Sequence, residues 1–252
     1  MVGNAFVADM AIILNKLTDK ESFARDDVQV IMEEIGYHSS SSSVNRVVNQ
    51  LLAKGDIARV GRNRFIPTQS VSSYHYSHSD CAVNVAESIQ GHHPYVDFRL
   101  FELVQLNEFV NHQIGKNIIF VSVESELEED VFNTLWNENH GSVLLKPKAE
   151  DLFRYMTDDM VVISRLPSES PRGTSLFWDT RIEKILVDIA VDKLLRKVVY
   201  SSEYPEIFRE VISKYAIDKS TMTRYLRRRG AMDKFRKFLV DEACISAEQF
   251  SI

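Results

Sequence analysis

The sequence predicts an α+β protein: an N-terminal winged helix-turn-helix, then an α/β layer with a C-terminal helical bundle. Three amphipathic helical segments precede two short β-prone segments within the first seventy residues. Strands and short helices then alternate through the middle of the chain, and the C-terminal part has only helical periodicity. We therefore expect a winged helix-turn-helix domain at residues 1–70, a linker with a short helix at 71–94, and an α/β plus helical domain at 95–252.

The composition is that of a globular chain. Of the 252 residues 44% are apolar and 26% are charged, with nine Gly and six Pro, which excludes collagen-like and wholly disordered classes. No apolar run approaches the roughly 18 residues of a membrane span, and Asp9 interrupts the N-terminal apolar segment, so we expect neither a membrane anchor nor a secretory signal. Cys81 and Cys244 lie far apart and form no metal or redox pair. These features predict a cytoplasmic location.

The charge is unevenly distributed, although the net charge of −6 argues against a protein that coats nucleic acid. Between residues 39 and 66, five basic side chains face one aspartate, for a net charge of +4. Between residues 222 and 238, seven basic side chains face one aspartate, for a net charge of +6. The segment 97–170 has a net charge of −8. Two basic segments thus flank an acidic middle, and the basic segments are the places to expect an anionic partner.

Three amphipathic segments are predicted as the helices of the first domain. The first ends near Thr18, and the second extends from Asp26 to Gly36. A run of serines at 39–43 offers N-caps for the third helix. The apolar positions of this third helix, expected to face the core, are Val44, Val47, Val48, Leu51 and Leu52.

The third helix is predicted to be the recognition helix, with its N-terminal end directed at the major groove of DNA. Hydroxyl groups near a helix start suit phosphate contact, because the free N–H groups there already favour an anion. Arginine can donate two hydrogen bonds to a guanine edge, and asparagine can pair in the same way with adenine. The DNA-binding residues predicted on this helix are Ser41, Ser42, Asn45, Arg46 and Asn49.

Two β-prone segments, 57–60 and 64–66, are predicted to form the wing. Gly61 and Asn63, in the connection between them, supply the positive φ that a tight hairpin needs. Small winged helices also serve as protein-interaction modules, but clustered arginines without an acidic partner favour contact with phosphates or a minor groove. The DNA-binding residues predicted on the wing are Arg59, Arg62, Asn63 and Arg64.

The acidic middle has no predicted catalytic, cofactor or metal site. His75, His78 and Cys81 stand three residues apart, but a fourth zinc ligand at finger spacing is missing, so we expect solvated or capping histidines. A nuclease needs clustered carboxylates and a lysine on adjacent strands. Asp97 and Glu124 fall at predicted strand positions, but no Glu-x-Lys follows. Since phosphate loops and nucleophile elbows are also missing, we expect no enzymatic activity, no metal and no cofactor.

The C-terminal segment is predicted to form a small helical bundle with one basic corner. A long helix begins at Ile182 and carries Arg181, Glu183 and Lys184 on its solvent-exposed side. A later helix has an arginine-rich face, which would contact either DNA, as an extension of the phosphate track, or an acidic partner surface. Its predicted DNA-binding residues are Arg224, Arg227 and Arg228.

Several motifs of the second domain, taken together with the preceding winged helix, indicate a family. They read RIEKILVD at residues 181–188, RYLRRRG at 224–230, LNEF at 106–109, HQ at 112–113 and GKNIIFV at 115–121. With them the chain, roughly from Val7 to Val240, resembles the AbiEi-type antitoxins, although its acidic middle is longer than in the more compact members. In such families the winged helix binds DNA and the second domain carries antitoxin activity.

This resemblance implies a cytoplasmic autoregulator that binds operator repeats in duplex DNA and neutralises a nucleotidyltransferase-like toxin. The alternative function is a nuclease-like defence or repair enzyme that a winged helix directs to DNA. The sequence specifies neither the operator nor the oligomeric state.

Overall fold

The computed structural model shows a mixed α+β protein, as predicted. It divides into two compact units: unit 1 comprises Met1–His75 and Ile212–Ser220, and unit 2 comprises Tyr76–Val211 and Thr221–Ile252. Side chains are described from Met10 onward, and Ser39 of the predicted serine run lies outside the described residues. The described residues are 2–37, 40–68, 73–138, 142–173, 176–199 and 202–245.

Unit 1 begins with three helices and an antiparallel hairpin. They are α1 (Val2–Thr18), α2 (Arg25–Glu34), α3 (Ser41–Lys54), β1 (Ile57–Gly61) and β2 (Arg64–Pro67). The apolar faces of the helices pack around the stacked rings of Phe23 and Phe65, whose centroids are 5.8 Å apart. The backbones of these two residues also exchange two hydrogen bonds of 2.9 Å, so the segment before α2 is fixed to β2.

Helix α3 has the termini and the buried face that its sequence predicts. The hydroxyl of Ser40 accepts a hydrogen bond from the backbone N–H of Ser43, and Gly55 closes the helix at a φ of 75°. Leu52 is partly buried against the core. The buried residues of the helix are Val44, Val47, Val48 and Leu51.

The hairpin turn differs from the prediction at one residue. Asn63 has the expected positive φ, 53°, whereas Gly61 is the last residue of β1 and has an ordinary φ. A register shift between Arg59 and Gly61 lengthens β1 by one residue, so only Arg62 and Asn63 form the turn. One left-handed residue is enough for this turn, and Asn63 supplies it.

Unit 2 is built on a four-stranded sheet of β3 (Phe98–Glu102), β4 (Ile118–Val123), β5 (Val143–Leu145) and β6 (Met160–Arg165), in the order β3-β4-β6-β5. Strands β4, β6 and β5 are parallel, and β3 is antiparallel to β4. One face of this sheet forms a core with the helix that precedes its first strand, at residues 80–92, and with the helix at residues 128–137. The helices before and between these strands are α4 (Asp80–His92), α5 (Glu128–Asn137) and α6 (Ala149–Tyr155).

Two elements of unit 2 differ from the sequence prediction. The alternating pattern at residues 95–100 predicts a strand from Tyr95, but β3 begins at Phe98, because Tyr95 lies in the turn after α4 with 97% of its surface exposed. The sequence at residues 105–111 predicts a short helix, but the structure has a 3₁₀ segment there, Leu103–Glu108. The side chain of Asn107 bonds both backbone groups of Ile114, at 2.7 and 3.2 Å, and thereby holds the following residues in a loop.

The predicted long helix from Ile182 is two helices. Asp192 interrupts it, because its carboxylate accepts the backbone N–H groups of Leu194 and Leu195 at 2.9 and 3.1 Å and starts a new turn there. Within the described residues, none of the helices has the length and apolar content needed to cross a membrane. The C-terminal helices are α7 (Ile182–Val191), α8 (Leu195–Val198), α9 (Tyr204–Lys214), α10 (Lys219–Arg228) and α11 (Met232–Lys237), followed by a π-helical turn, Phe238–Glu242.

The prediction that three residues at the start of α7 are solvent-exposed was wrong for two of them. Glu183 and Lys184 are only 2% and 5% exposed, whereas Arg181 is half-buried. The guanidinium group of Arg181 donates to both carboxylate oxygens of Glu183 at 3.0 and 3.1 Å, and Lys184 donates to Asp188 at 2.6 Å. Each buried charge therefore has an opposite charge beside it, because an unpaired charge in the protein interior would cost too much free energy.

Candidate nucleic-acid interface

The predicted recognition face of α3 is exposed. The valines and leucines of α3 occupy the opposite side and pack into the core of unit 1, which leaves the polar side accessible. Exposed hydroxyl, amide and guanidinium groups therefore follow one another along the first three turns of the helix. These exposed residues are Ser41, Ser42, Asn45, Arg46 and Asn49.

The hairpin carries the other predicted residues of unit 1. Arg59, Arg62 and Arg64 are exposed, and Asn63 between them is half-buried. The guanidinium group of Arg59 lies 5.8 Å from the ring centroid of Phe65, within cation–π distance. A short β-ribbon therefore presents three guanidinium groups within six residues.

Arg25, at the start of α2, connects the helix face to the hairpin. Its Nε atom donates to Oδ1 of Asn45 at 2.7 Å, and its Nη1 atom donates to Oδ1 of Asn63 at 2.9 Å. The same guanidinium group lies 5.1 Å from the ring centroid of Phe65. Arg25 thus fixes the orientation of one amide on each part of the surface. The sequence carried no signal for this role, because a basic residue at a helix start usually indicates only an exposed position.

Positive charge on this surface is not neutralised locally. Among the described residues, no carboxylate lies within ion-pair distance of Arg46, Arg59, Arg62 or Arg64. Asp27 has a lowered pKa, mainly because it accepts a hydrogen bond from Lys20, and the charge of Arg64 lowers this pKa further. Since Asp27 is already paired with Lys20, the arginines keep their excess charge for an external anion.

Unit 2 contains the remaining three predicted DNA-binding residues. Arg224, Arg227 and Arg228 are exposed on α10, and Nε of Arg228 donates to the hydroxyl of Ser168. Nine of the twelve predicted residues therefore belong to unit 1, and three belong to unit 2.

Arg229, the next residue along, is half-buried and belongs to an ionic cluster on α7. Its Nη1 atom donates to Oδ1 of Asp188 at 3.0 Å, and the hydroxyl of Tyr225 donates to the same oxygen at 2.9 Å. The other oxygen of Asp188 accepts from Lys184. Burial lowers the pKa of Lys184, but the charge and hydrogen bond of Asp188 together with Tyr225 outweigh burial and raise the pKa above its usual value. The three arginines predicted to bind DNA are thus exposed, whereas the neighbouring Arg229 belongs to the ionic cluster.

The side chain of His78 is buried, so the expectation of a solvated or capping histidine was wrong for this residue, whereas His75 is exposed as expected. The His78 side chain is 3% exposed, with Nδ1 at 3.1 Å from Glu102 and Nε2 at 3.0 Å from Asp179. Burial lowers the pKa of His78, but the hydrogen bonds to Asp179 and Glu102 outweigh it and raise the pKa to about 9. Both ring nitrogens therefore donate as an imidazolium. Over the described ranges, no group of three or more His, Cys, Asp or Glu is arranged to hold a metal.

The two carboxylates considered for a nuclease lie just outside strands β3 and β4. Asp97 accepts hydrogen bonds from Arg99 at 2.8 Å and Arg172 at 3.2 Å, and Glu124 accepts from the backbone N–H of Asp97 at 3.0 Å. Burial raises the pKa of Asp97, but Arg99 and Arg172 outweigh it and hold the pKa below its usual value. Asp97 is thus bound by two arginines, an arrangement that opposes a divalent cation.

Comparisons with known proteins place most of the chain in one family. The profile of a family of unknown function, DUF6577, matches residues 43–244. No curated protein matches the chain. A solved structure described as the RV2827C protein from Mycobacterium tuberculosis is 11% identical and covers 95% of this chain and 78% of its own, with a TM-score of 0.37. That TM-score is too low to establish a shared fold.

Proposed function

The chain belongs to the DUF6577 family, whose function is unknown, and we propose that it binds duplex DNA through unit 1 and represses its own transcription. The observation that carries this proposal is the excess of unpaired guanidinium groups on α3 and the hairpin. In this proposal the three helices and the hairpin of unit 1 are a winged helix-turn-helix, with α3 as recognition helix and the hairpin as wing.

The two parts of the surface have different tasks in DNA binding. Arg59, Arg62 and Arg64 contact phosphates, because guanidinium groups on a narrow ribbon reach the backbone and carry no base preference. Arg46 and Asn49 read base edges in the major groove. Arg25 acts indirectly, since it holds the amide of Asn45 in place before DNA arrives.

We also propose that the protein is an antitoxin, on the basis of its resemblance to the AbiEi-type family. In this proposal unit 2 neutralises a nucleotidyltransferase-like toxin, and DNA binding controls how much of the pair is made. The alternative, a nuclease-like enzyme, is not favoured, because Asp97 is engaged by Arg99 and Arg172.

The test of DNA binding uses the full chain and a fluorescent duplex from the region upstream of its own gene. Affinity is measured by anisotropy over a range of salt concentrations, beside a scrambled duplex of the same length. Arg62→Ala should weaken binding to both duplexes and reduce the salt slope by about one unit, the value for one lost phosphate contact. Arg46→Ala should cost about 1–3 kcal/mol on the native duplex alone.

The matched control is Arg154→Ala, which removes an exposed arginine from α6 in unit 2. It should leave both affinities unchanged. Equal affinity of the unaltered chain for the two duplexes, or an Arg46→Ala variant with unchanged preference, would contradict the assignment of α3 as recognition helix.

A further inference from the structure

A cavity of about 490 Å³ lies in unit 2, on the face of the sheet turned away from α4 and α5. Its volume is within the range of small-molecule sites, about 300–1,000 Å³. Ser122 and Ser164, near the carboxyl ends of the parallel strands β4 and β6, line it on one side, and Lys184 and Asp188 of α7 line it on the other. The carboxyl ends of parallel strands are the usual place for ligands in such sheets.

The sheet side of the cavity consists of two adjacent rows that cross β3, β4 and β6. One row is apolar: Phe101 pairs with Phe120, whose ring is stacked on it at 5.9 Å, and Phe120 pairs with Val162. The next row is polar and lies closer to the carboxyl ends of β4 and β6, and it consists of Arg99, Ser122 and Ser164. The cavity therefore has an apolar end and a hydrogen-bonding end.

The lining is strongly cationic. Six Lys or Arg side chains line the cavity against two carboxylates, Asp188 and Asp192. Arg165 and Lys193 are exposed at its edge, and within the described part of the chain neither has a carboxylate at ion-pair distance. About two positive charges are thus left for a ligand.

Lys184 independently indicates that the cavity binds a ligand with hydrogen-bond acceptor oxygens. Its ammonium group is buried and carries three donors, of which one is bonded, to Asp188, among the residues that the structure describes. A buried ammonium group with unused donors favours a ligand whose oxygen atoms accept those hydrogen bonds.

We propose that this cavity binds a nucleoside monophosphate, with the base against Phe101 and Phe120 and the phosphate beside Ser122 and Ser164. A phosphate monoester carries about −1.5 to −2 charges at pH 7, which matches the charge left by Arg165 and Lys193. A flat base matches the apolar row, and the length from base to phosphate spans the two rows. The site belongs to unit 2 and does not depend on DNA binding by unit 1.

Isothermal titration calorimetry on the full chain tests the proposal with AMP, GMP, CMP and UMP. At least one of them should bind, whereas adenosine and inorganic phosphate, which each supply half of the contacts, should bind at least about ten-fold more weakly than the preferred nucleotide. A 5′-phosphorylated trinucleotide that competes with this nucleotide identifies the end of a nucleic acid as the source of the ligand. No heat with any of the four nucleotides at millimolar concentration overturns the proposal, and so does phosphate or adenosine binding equal to that of the nucleotides.

Two pairs of variants locate the bound nucleotide. Arg165→Glu and Lys193→Glu change exposed residues at the cavity edge and should each weaken nucleotide binding at least about ten-fold, because a charge-assisted phosphate contact becomes a repulsion. Arg154→Glu and Lys197→Glu make the same changes at exposed positions outside the cavity and should bind as the unaltered chain does. Nucleotide binding that persists in both cavity variants overturns the placement of the phosphate.

Discussion

Asn63 accepts two hydrogen bonds from Arg25, one from the backbone N–H at 3.3 Å and one from the guanidinium group at 2.9 Å. Asn63 also has a φ of 53°, in the left-handed region that non-glycine residues rarely adopt. The side chain and the backbone of one residue thus set both the shape of the hairpin turn and its attachment to the start of α2. The attachment also constrains the backbone at Arg62 and Arg64, on either side of Asn63.

Two substitutions separate the conformational role of Asn63 from its hydrogen bonds. Asn63→Ala and Asn63→Gly both remove the acceptor for Arg25, but only glycine adopts the positive φ without a steric cost. We expect Asn63→Gly to be the more stable variant by about 1 kcal/mol, since the left-handed conformation costs an alanine about 1–2 kcal/mol and glycine loses part of this advantage to backbone entropy. Urea unfolding followed by circular dichroism measures the difference. Equal stability of the two variants would show that this turn is unstrained.

Much of unit 1 was predictable because its signals are local. The termini of α3 follow from Ser40 and Gly55, and its buried face follows from apolar spacing within a single helix. Arg25 was not predictable, because its partners Asn45 and Asn63 are 20 and 38 residues away and only the folded chain brings the three together.

The error on α7 has the same cause, because residues distant in the sequence determine which of its side chains are buried. Lys184 and Asp188 have the i,i+4 spacing of an ordinary solvent-exposed ion pair, and the sequence placed Lys184 on the solvent-exposed side of the helix. Their burial depends on Arg229 and Tyr225, about forty residues further along, which add two donors to the same carboxylate. A hydrophobic pattern does not reveal such a cluster, since charged residues count as polar wherever they lie.

His78 should make the stability of unit 2 depend on pH in the neutral range. Its pKa is raised from about 6.5 to about 9 in the folded chain, so the imidazolium contributes stability that is fully present below about pH 6.5. This contribution is lost as the pH rises towards 9, by about 2 kcal/mol between pH 6.5 and 8. Urea unfolding monitored by tryptophan fluorescence measures it, because both tryptophans, Trp136 and Trp178, belong to unit 2.

His78→Gln is the control for this titration. Glutamine can still donate to Glu102 or Asp179 but does not titrate, so the stability of the variant should stay nearly constant between pH 6.5 and 8. A pH dependence in the variant as steep as in the unaltered chain would assign the effect to another group.

The buried cluster on α7 should respond unequally to loss of its acid and its base. Asp188→Ala leaves Lys184 without its carboxylate in a buried site and should cost about 3–5 kcal/mol. Lys184→Met keeps Asp188 bonded to Tyr225 and Arg229, and it should cost less than half as much. Tryptophan fluorescence in urea measures both variants. A larger loss for Lys184→Met would mean that Asp188 is not the centre of the cluster.

The exposed arginines of α10 are predicted to contact DNA rather than the proposed toxin partner. Arg224, Arg227 and Arg228 belong to a segment with a net charge of +6, and no carboxylate lies within ion-pair distance of them among the described residues. Like charges at this density are destabilising unless a partner neutralises them, and the phosphate backbone is the most densely charged partner in the proposed function.

Reversal of all three arginines to glutamate tests this assignment, with circular dichroism to confirm folding. The control reverses Lys148, Arg154 and Lys197, which are exposed elsewhere in unit 2. Operator affinity of the α10 variant should fall, and the salt slope should decrease by about one unit for each phosphate contact that is lost, while neutralisation of the toxin stays intact. The control should change neither property. Normal operator affinity combined with lost neutralisation would identify α10 as the toxin-binding surface instead, because the arginines would then be required for binding the toxin and not for binding DNA.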